Sequence, residues 1–189
     1  MPSTSSQPGL ICVDDSTREC TRVELLNQMA EAGAQTPIVG ELANEVWRKA
    51  QQIAGTVHVR KGDWWNRLLA QQALFFVHLR FPYVEDRSGK DCYRFVESTV
   101  QNGGECKALN ILLTAILLRL GLFAEVYWID QKGQPLNHVA SKVTIDGKPL
   151  WADASVFGAQ LGESPYQAIL RTGAWHVIGM RNPRLQTKS

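Results

Sequence analysis

The sequence predicts an α+β fold: a helical N-terminal preface, a central buried helix, and an antiparallel sheet that follows it. Three observations carry this. Apolar residues recur at helical spacing from Val23 to Leu79. Ala108–Leu120 is almost wholly apolar, interrupted at Asn110 and Arg119, as expected of a helix at the centre of a core. After Gly121 the period switches to two, the spacing of strands.

The elements follow in order. Residues 1–15 read as a flexible arm, and residues 16–80 as the helical preface packed on the core. Thr21-Arg22-Val23-Glu24 fits a capping box, and Val23, Leu25, Leu26 and Met29 then form a short amphipathic helix ending near Gly33. Thr36-Pro37 sets a cap residue before a proline at the first helical position. From there Ile38, Leu42, Val46, Ala50 and Ile53 keep helical spacing until Gly55. A third helix starts at Asp63. Its Trp64, Trp65, Leu68, Leu69, Phe75, Phe76 and Leu79 crowd a broad face, so burial is expected there, with both aromatic pairs in the core. A short helix is expected within Asp91–Val100, and the central helix over Glu105–Leu120. Phe123–Asp130 and His138–Ile145 read as strands about a turn at Gln131–Gln134, and Asp146-Gly147 is a hairpin signal leading into a third strand through Trp151 to Asp153. Ser164-Pro165 opens a short helix, and Trp175–Gly179 is expected to be a last strand. Residues 81–180 thus form the core, and 181–189 a basic tail.

Bulk properties exclude several classes. A chain of 189 residues with 44% hydrophobic and 20% charged residues is ordinary globular material, long enough for a real core. A formal charge of +2, scattered along the chain, points to neither a nucleic-acid nor a membrane partner. The first residues lack a signal peptide's basic and apolar regions, and Ala108–Leu120 falls short of the about 20 apolar residues that span a bilayer, so a cytoplasmic protein is expected. Cys12, Cys20, Cys92 and Cys106 show no close pairing and are expected to be thiols in that compartment. Without a close-spaced ligand pair no metal site is expected, and no glycine spacing fits a phosphate-binding loop, so no cofactor is expected either.

The chemistry centres on Cys106. It follows Gly103-Gly104 and lies in the first turn of the buried helix, where free amides and the helix dipole favour a thiolate. The glycines let a substrate approach the sulfur, and the Cys106 amide points where an oxyanion would form. His138 opens the second strand, and thiol acyl transfer needs such a base. Asp153 lies across the Asp146-Gly147 hairpin, which brings it beside His138 to orient the imidazole. His58, His78 and His176 lack this context and read as ordinary histidines.

Gly104-Glu105-Cys106, the apolar helix after it, Gly121 with its strand, His138-Val139 and Asp153-Ala154 together resemble the transglutaminase-like superfamily over roughly residues 83–155. The chain is especially similar to small phage- and prophage-encoded members, in which a helical leader precedes the Cys, His and Asp blocks and a Gly-x-x-Pro segment such as Gly162–Pro165 follows. The resemblance implies a papain-related core with the cysteine heading a central helix against an antiparallel sheet. It implies Cys106 as nucleophile, His138 as base and Asp153 as orienting acid. Gln101, Tyr83 and Trp128 are candidates for a second oxyanion donor, Gln101 by likeness to the upstream glutamine of papain-like enzymes. The chain departs from the family pattern with Glu105 before the cysteine, Lys107 after it, Val139-Ala140 after the histidine, and Trp151 two positions before Asp153.

The expected function is a thiol acyl-transfer enzyme, a cysteine peptidase or amidase acting on a protein or peptide substrate. A crosslinking or deamidating transglutaminase acting on a host protein uses the same chemistry. A phage virion, assembly or adaptor protein using the fold without catalysis remains the alternative, with other phage structural proteins as partners. The expected location is correspondingly the bacterial cytoplasm or the virion.

Overall fold

The computed structural model of the chain describes residues 10–13, 19–55, 62–85, 91–131 and 134–178. The first residues of the expected arm, His58, the middle of the turn after β3 and the basic tail lie outside the described residues.

Strand β1 (Leu10–Val13) precedes three helices, α1 (Glu19–Ala34), α2 (Pro37–Gly55) and α3 (Asp63–Arg80). Thr36 caps α2, its hydroxyl accepting from the Val39 amide at 3.4 Å, and Pro37 takes the first helical position. The first helix begins slightly before the expected capping box, which puts Thr21 inside its first turn; helix ends commonly shift by a residue or two. Strand β2 (Asp91–Arg94) and helix α4 (Val96–Asn102) lead to α5 (Cys106–Arg119). Then come β3 (Phe123–Gln131), β4 (Gln134–Ile145), β5 (Lys148–Ala152), α6 (Pro165–Thr172) and a 3₁₀ helix over Trp175–Ile178.

The class is α+β, organised around α5. Leu109, Ile111, Leu112, Leu113, Ile116 and Leu117 are all fully buried, because α1, α2, α3 and α4 and the strands β3 and β4 pack around this helix. At about 1.5–3 kcal/mol for each buried aliphatic side chain, no other element contributes as much to the core. Strands β3, β4 and β5 form an antiparallel sheet in that order, with Val139 opposite Trp128 and Ser141 opposite Ala152. Asp146 and Gly147 both take positive φ (55° and 69°), the backbone a tight hairpin requires.

Four expectations are overturned. Residues 10–13 are not an arm but a strand, paired antiparallel with β2, which itself occupies the start of the expected helix over Asp91–Val100. Cys12 and Cys92 face each other in that register and form a disulfide, so they are not thiols. Trp175–Ile178 is a 3₁₀ helix instead of a strand, since no strand of the three-stranded sheet pairs with it. The aromatic pairs on α3 split: Phe76 is buried, whereas Trp64 and Phe75 are exposed and Leu79 is 76% exposed. Successive residues on a helix point some 100° apart, so a pair of neighbours rarely shares one buried face. Among the described residues no helix is long and apolar enough to cross a membrane.

Candidate active site

The head of α5 is built by two glycines with different jobs. Gly103 ends α4 with φ at 70°, and a Cβ there would meet the Pro82 carbonyl oxygen at 2.3 Å. A Cβ on Gly104 would meet the Ala108 Cβ at 2.4 Å. The Gly104 N–H donates to the Pro82 carbonyl (3.2 Å), and its carbonyl accepts from the Val84 N–H (2.9 Å), which seats Tyr83 against the helix head. Both glycines thus serve the chain's own close packing at the helix head.

Glu105 is the N-cap of α5. Its carboxylate accepts from the Lys107 amide (3.1 Å) and the Ala108 amide (3.3 Å). The Cys106 thiol also donates to Glu105 Oε2, at 3.4 Å, and the Lys107 ammonium lies 3.9 Å from that same oxygen. Glu105 and Cys106 are both buried. Burial pushes the Glu105 carboxyl up, opposed by Lys107 and by the amides it caps. Burial likewise pushes the Cys106 thiol well above its ordinary range, and the Glu105 charge pushes it further, against Lys107 and the Val139 amide, which favour the thiolate. The expected lowering by the helix N-terminus is thus overturned. A carboxylate already occupies the amides that would have stabilised the sulfur anion.

His138 and Asp153 do meet. Because Ser141 lies opposite Ala152, Asp153 continues β5 to a place diagonal to His138, within reach of a long side chain. Their side chains are buried, and His138 Nε2–H donates to Asp153 Oδ2 at 2.6 Å. The other carboxylate oxygen, Oδ1, accepts from the Ser155 amide (3.0 Å) and hydroxyl (2.6 Å). Burial pushes the Asp153 carboxyl up, but His138 and the two Ser155 donors outweigh it and hold it below the usual carboxylate range. With Nε2 committed to Asp153, His138 Nδ1 is the lone-pair nitrogen, and it is buried without a hydrogen-bond partner.

Cys106 and His138 are neighbours through the backbone, since the Cys106 and Val139 carbonyls both accept from Asn110 Nδ2 at 2.9 Å. Their side chains are not hydrogen-bonded to each other, because the sulfur turns to Glu105.

Three further residues belong to the site and were not assigned to it from sequence. Asn110 and Glu105 are described above. His78, on α3, donates from Nε2 to the Asp153 carbonyl at 2.9 Å, with Phe157 against its ring and burial pushing its pKa down. For Asn110 a signal existed, a polar residue one turn after Cys106 in an otherwise apolar helix. For His78 no local signal did.

Of the oxyanion candidates, Tyr83 stands at the site. Burial first, then the Cys106 sulfur when ionised and the carboxylates of Glu105, Glu85 and Asp153, push its phenol up, so it stays a neutral O–H donor. The His176 ring packs edge-on against it at 5.4 Å. Gln101 is exposed on α4, and Trp128 is half-buried on β3 opposite Val139. Neither has a hydrogen bond into the site among the described residues. No group of three histidine, cysteine or acidic side chains able to hold a metal occurs among the described residues.

No protein-family model matches the chain, and no curated protein or solved structure matches it either.

Proposed function

We propose that the protein is a thiol acyl-transfer enzyme, a cysteine peptidase or amidase of the transglutaminase-like kind, with a papain-related core. The observation that carries this is the buried His138–Asp153 pair at 2.6 Å, which leaves the imidazole Nδ1 unpartnered on the strand whose Val139 carbonyl shares Asn110 Nδ2 with the Cys106 carbonyl. A buried imidazole fixed at one nitrogen and open at the other is the arrangement a thiol nucleophile needs.

In this reading the sulfur swings from Glu105 towards His138. The Cys106 proton passes to Nδ1, and the thiolate attacks a substrate carbonyl carbon. The new oxyanion is met by the Cys106 amide and the Tyr83 hydroxyl. As the tetrahedral intermediate collapses, the imidazolium returns the proton to the departing amine and a thioester remains. Water, deprotonated by the same nitrogen, then releases the acid and restores the thiol. An amine in place of water gives a crosslink, the transglutaminase outcome. Hydrolysis is favoured because water needs no docking site of its own.

A non-catalytic use of the fold, as a virion, assembly or adaptor component, is supported by the sulfur's burial and its bond to Glu105. Iodoacetamide labelling separates the readings. Wild-type protein should incorporate label at pH 7 at least ~tenfold faster than His138→Ala, the low end of what a positioned base contributes being larger still. Labelling no greater than that of Cys106→Ala sinks the enzyme.

A further inference from the structure

Asn110 is fully buried, one turn into α5 from Cys106. A side-chain amide offers two N–H donors and a carbonyl oxygen with two lone pairs, and here all are engaged. Nδ2 donates to the carbonyls of Cys106 and Val139, each at 2.9 Å. Oδ1 accepts from the Ser141 amide (3.2 Å), the Ala154 amide (3.1 Å) and the Ser141 hydroxyl (3.2 Å). These partners are Cys106 itself, the residue after His138, the residue after Asp153, and Ser141. A polar residue that merely tolerates a helix interior is satisfied by the carbonyl one turn back. Asn110 makes that bond and adds three backbone bonds to two other segments. Ser141 Oγ also donates towards the Asn110 main-chain carbonyl (3.1 Å) and lies 2.9 Å from Thr114 Oγ1.

We infer that Asn110 is the positioning residue of the site, holding the backbones of Cys106, Val139 and Ala154 in one frame so that the three reacting side chains meet. Its catalytic meaning rests on the thiol-enzyme reading above. Every bond it makes within that frame is to backbone, so it engages none of the side chains of Cys106, His138 and Asp153. Displacements near 1 Å can cost about 100-fold in rate, so a loosened frame is expected to be visible kinetically even where the fold survives.

The experiment compares Asn110→Ser with Thr114→Val, a buried neighbour bonded to Ser141 Oγ and to none of the three backbones in the frame. Two readouts are taken at a temperature where both variants are folded: the pH profile of Cys106 alkylation by iodoacetamide, and the His138 imidazole ¹⁵N chemical shifts at pH 7. Asn110→Ser is expected to slow alkylation at pH 7 at least ~tenfold and to move the imidazole ¹⁵N resonances, while Thr114→Val changes the rate by less than about twofold and leaves the resonances in place. Equal effects of the two variants, or no effect of Asn110→Ser, overturn the assignment. Should Asn110→Ser fail to fold, the wild-type Asn110 side-chain NH₂ protons decide: exchange slowed at least ~100-fold against a free amide supports the frame, and free-amide exchange overturns it. The imidazole and exchange readouts do not depend on catalysis. Wild-type protein that fails to label therefore removes the enzyme reading alone, and Asn110 stands or falls on the NMR.

Discussion

At Glu105 two demands collide. As an N-cap its carboxylate satisfies the Lys107 and Ala108 amides, a role ordinarily worth about 1 kcal/mol. As a buried negative charge beside a thiol it opposes the ionisation that a nucleophile needs. The Lys107 ammonium at 3.9 Å relieves this only in part, since burial still dominates and the Glu105 carboxyl remains raised. Glu105→Gln keeps a capping oxygen and removes the charge. Alkylation of Cys106 at pH 7 should then accelerate roughly tenfold, the rate equivalent of one unit of thiol pKa, with the pH–rate profile displaced towards lower pH. Stability supplies a second check. The folded-state pKa of Glu105 lies above its unfolded value, so its contribution is present below the ordinary carboxylate range and is lost as pH rises through the folded pKa. Asp153 titrates in the opposite sense, at pH below that range, and is common to both proteins. The denaturation midpoint of Glu105→Gln relative to wild type should therefore rise between pH 4 and pH 7. Identical alkylation rates and a flat difference in midpoint would remove the charge from the account.

Among the elements, the head of α5 is held by close contact as much as by hydrogen bonds. Because a Cβ on Gly104 would sit 2.4 Å from the Ala108 Cβ, Gly104→Ala must push the Pro82–Val84 segment away from α5 or unwind the helix's first turn. A cost of about 1–3 kcal/mol is expected, with slowed Cys106 labelling, because the displaced elements carry Tyr83 and the sulfur. Thermal unfolding and labelling on the same samples test this, and a variant that matches wild type in both shows that the contact is slack. The elements readable from sequence are those with local signals: the Thr36-Pro37 start of α2, the apolar run of α5, the Ser164 cap of α6, whose hydroxyl accepts from the Gln167 amide, and the Asp146-Gly147 hairpin that sets His138 against Asp153. The β1–β2 pair had no such signal, since each strand is four residues long and its partner lies 80 residues away. The bonding partners of Asn27 and Asn110 were hidden for a related reason, although Asn110 itself stands out as a polar residue in the apolar run of α5. Each sits in a helix and makes paired backbone bonds to another segment, Asn27 to Val126 and Asn110 to Val139 and Ala154, and such bonds exist only once the helix is docked. The protonation balance at Cys106 is not legible in the sequence, because the capping side chain competes with the sulfur for the same helix end.

For the whole molecule the Cys12–Cys92 disulfide is the longest-range covalent constraint among the described residues, and it encloses α1, α2 and α3 within its span of 80 residues. Strand β2 contributes the fully buried Tyr93, and Ile11 and Val13 of β1 pack against the same core, so the bond fastens β1 to the strand ahead of α4 and α5. Closing a loop of this length removes chain entropy worth roughly 4 kcal/mol from the unfolded state. It also makes stability depend on redox conditions, because thiols replace the bond in a reducing compartment. The site has its own ties: Asn110, Ser141, His138 and Asp153 are joined within α5, β4 and the turn after β5 by hydrogen bonds in which neither disulfide cysteine takes part. Global stability and site geometry should thus separate. The double variant Cys12→Ser/Cys92→Ser should unfold at a temperature lower by about 8–16 °C, at some 2–4 °C for each kcal/mol in a chain of this size. Its Cys106 alkylation rate, measured well below that transition, should stay within about twofold of wild type, since the hydrogen bonds around the site are unchanged. An unfolding temperature equal to wild type would show that β1 contributes no constraint. A rate that falls with stability would show that β1 and β2 take part in holding the site.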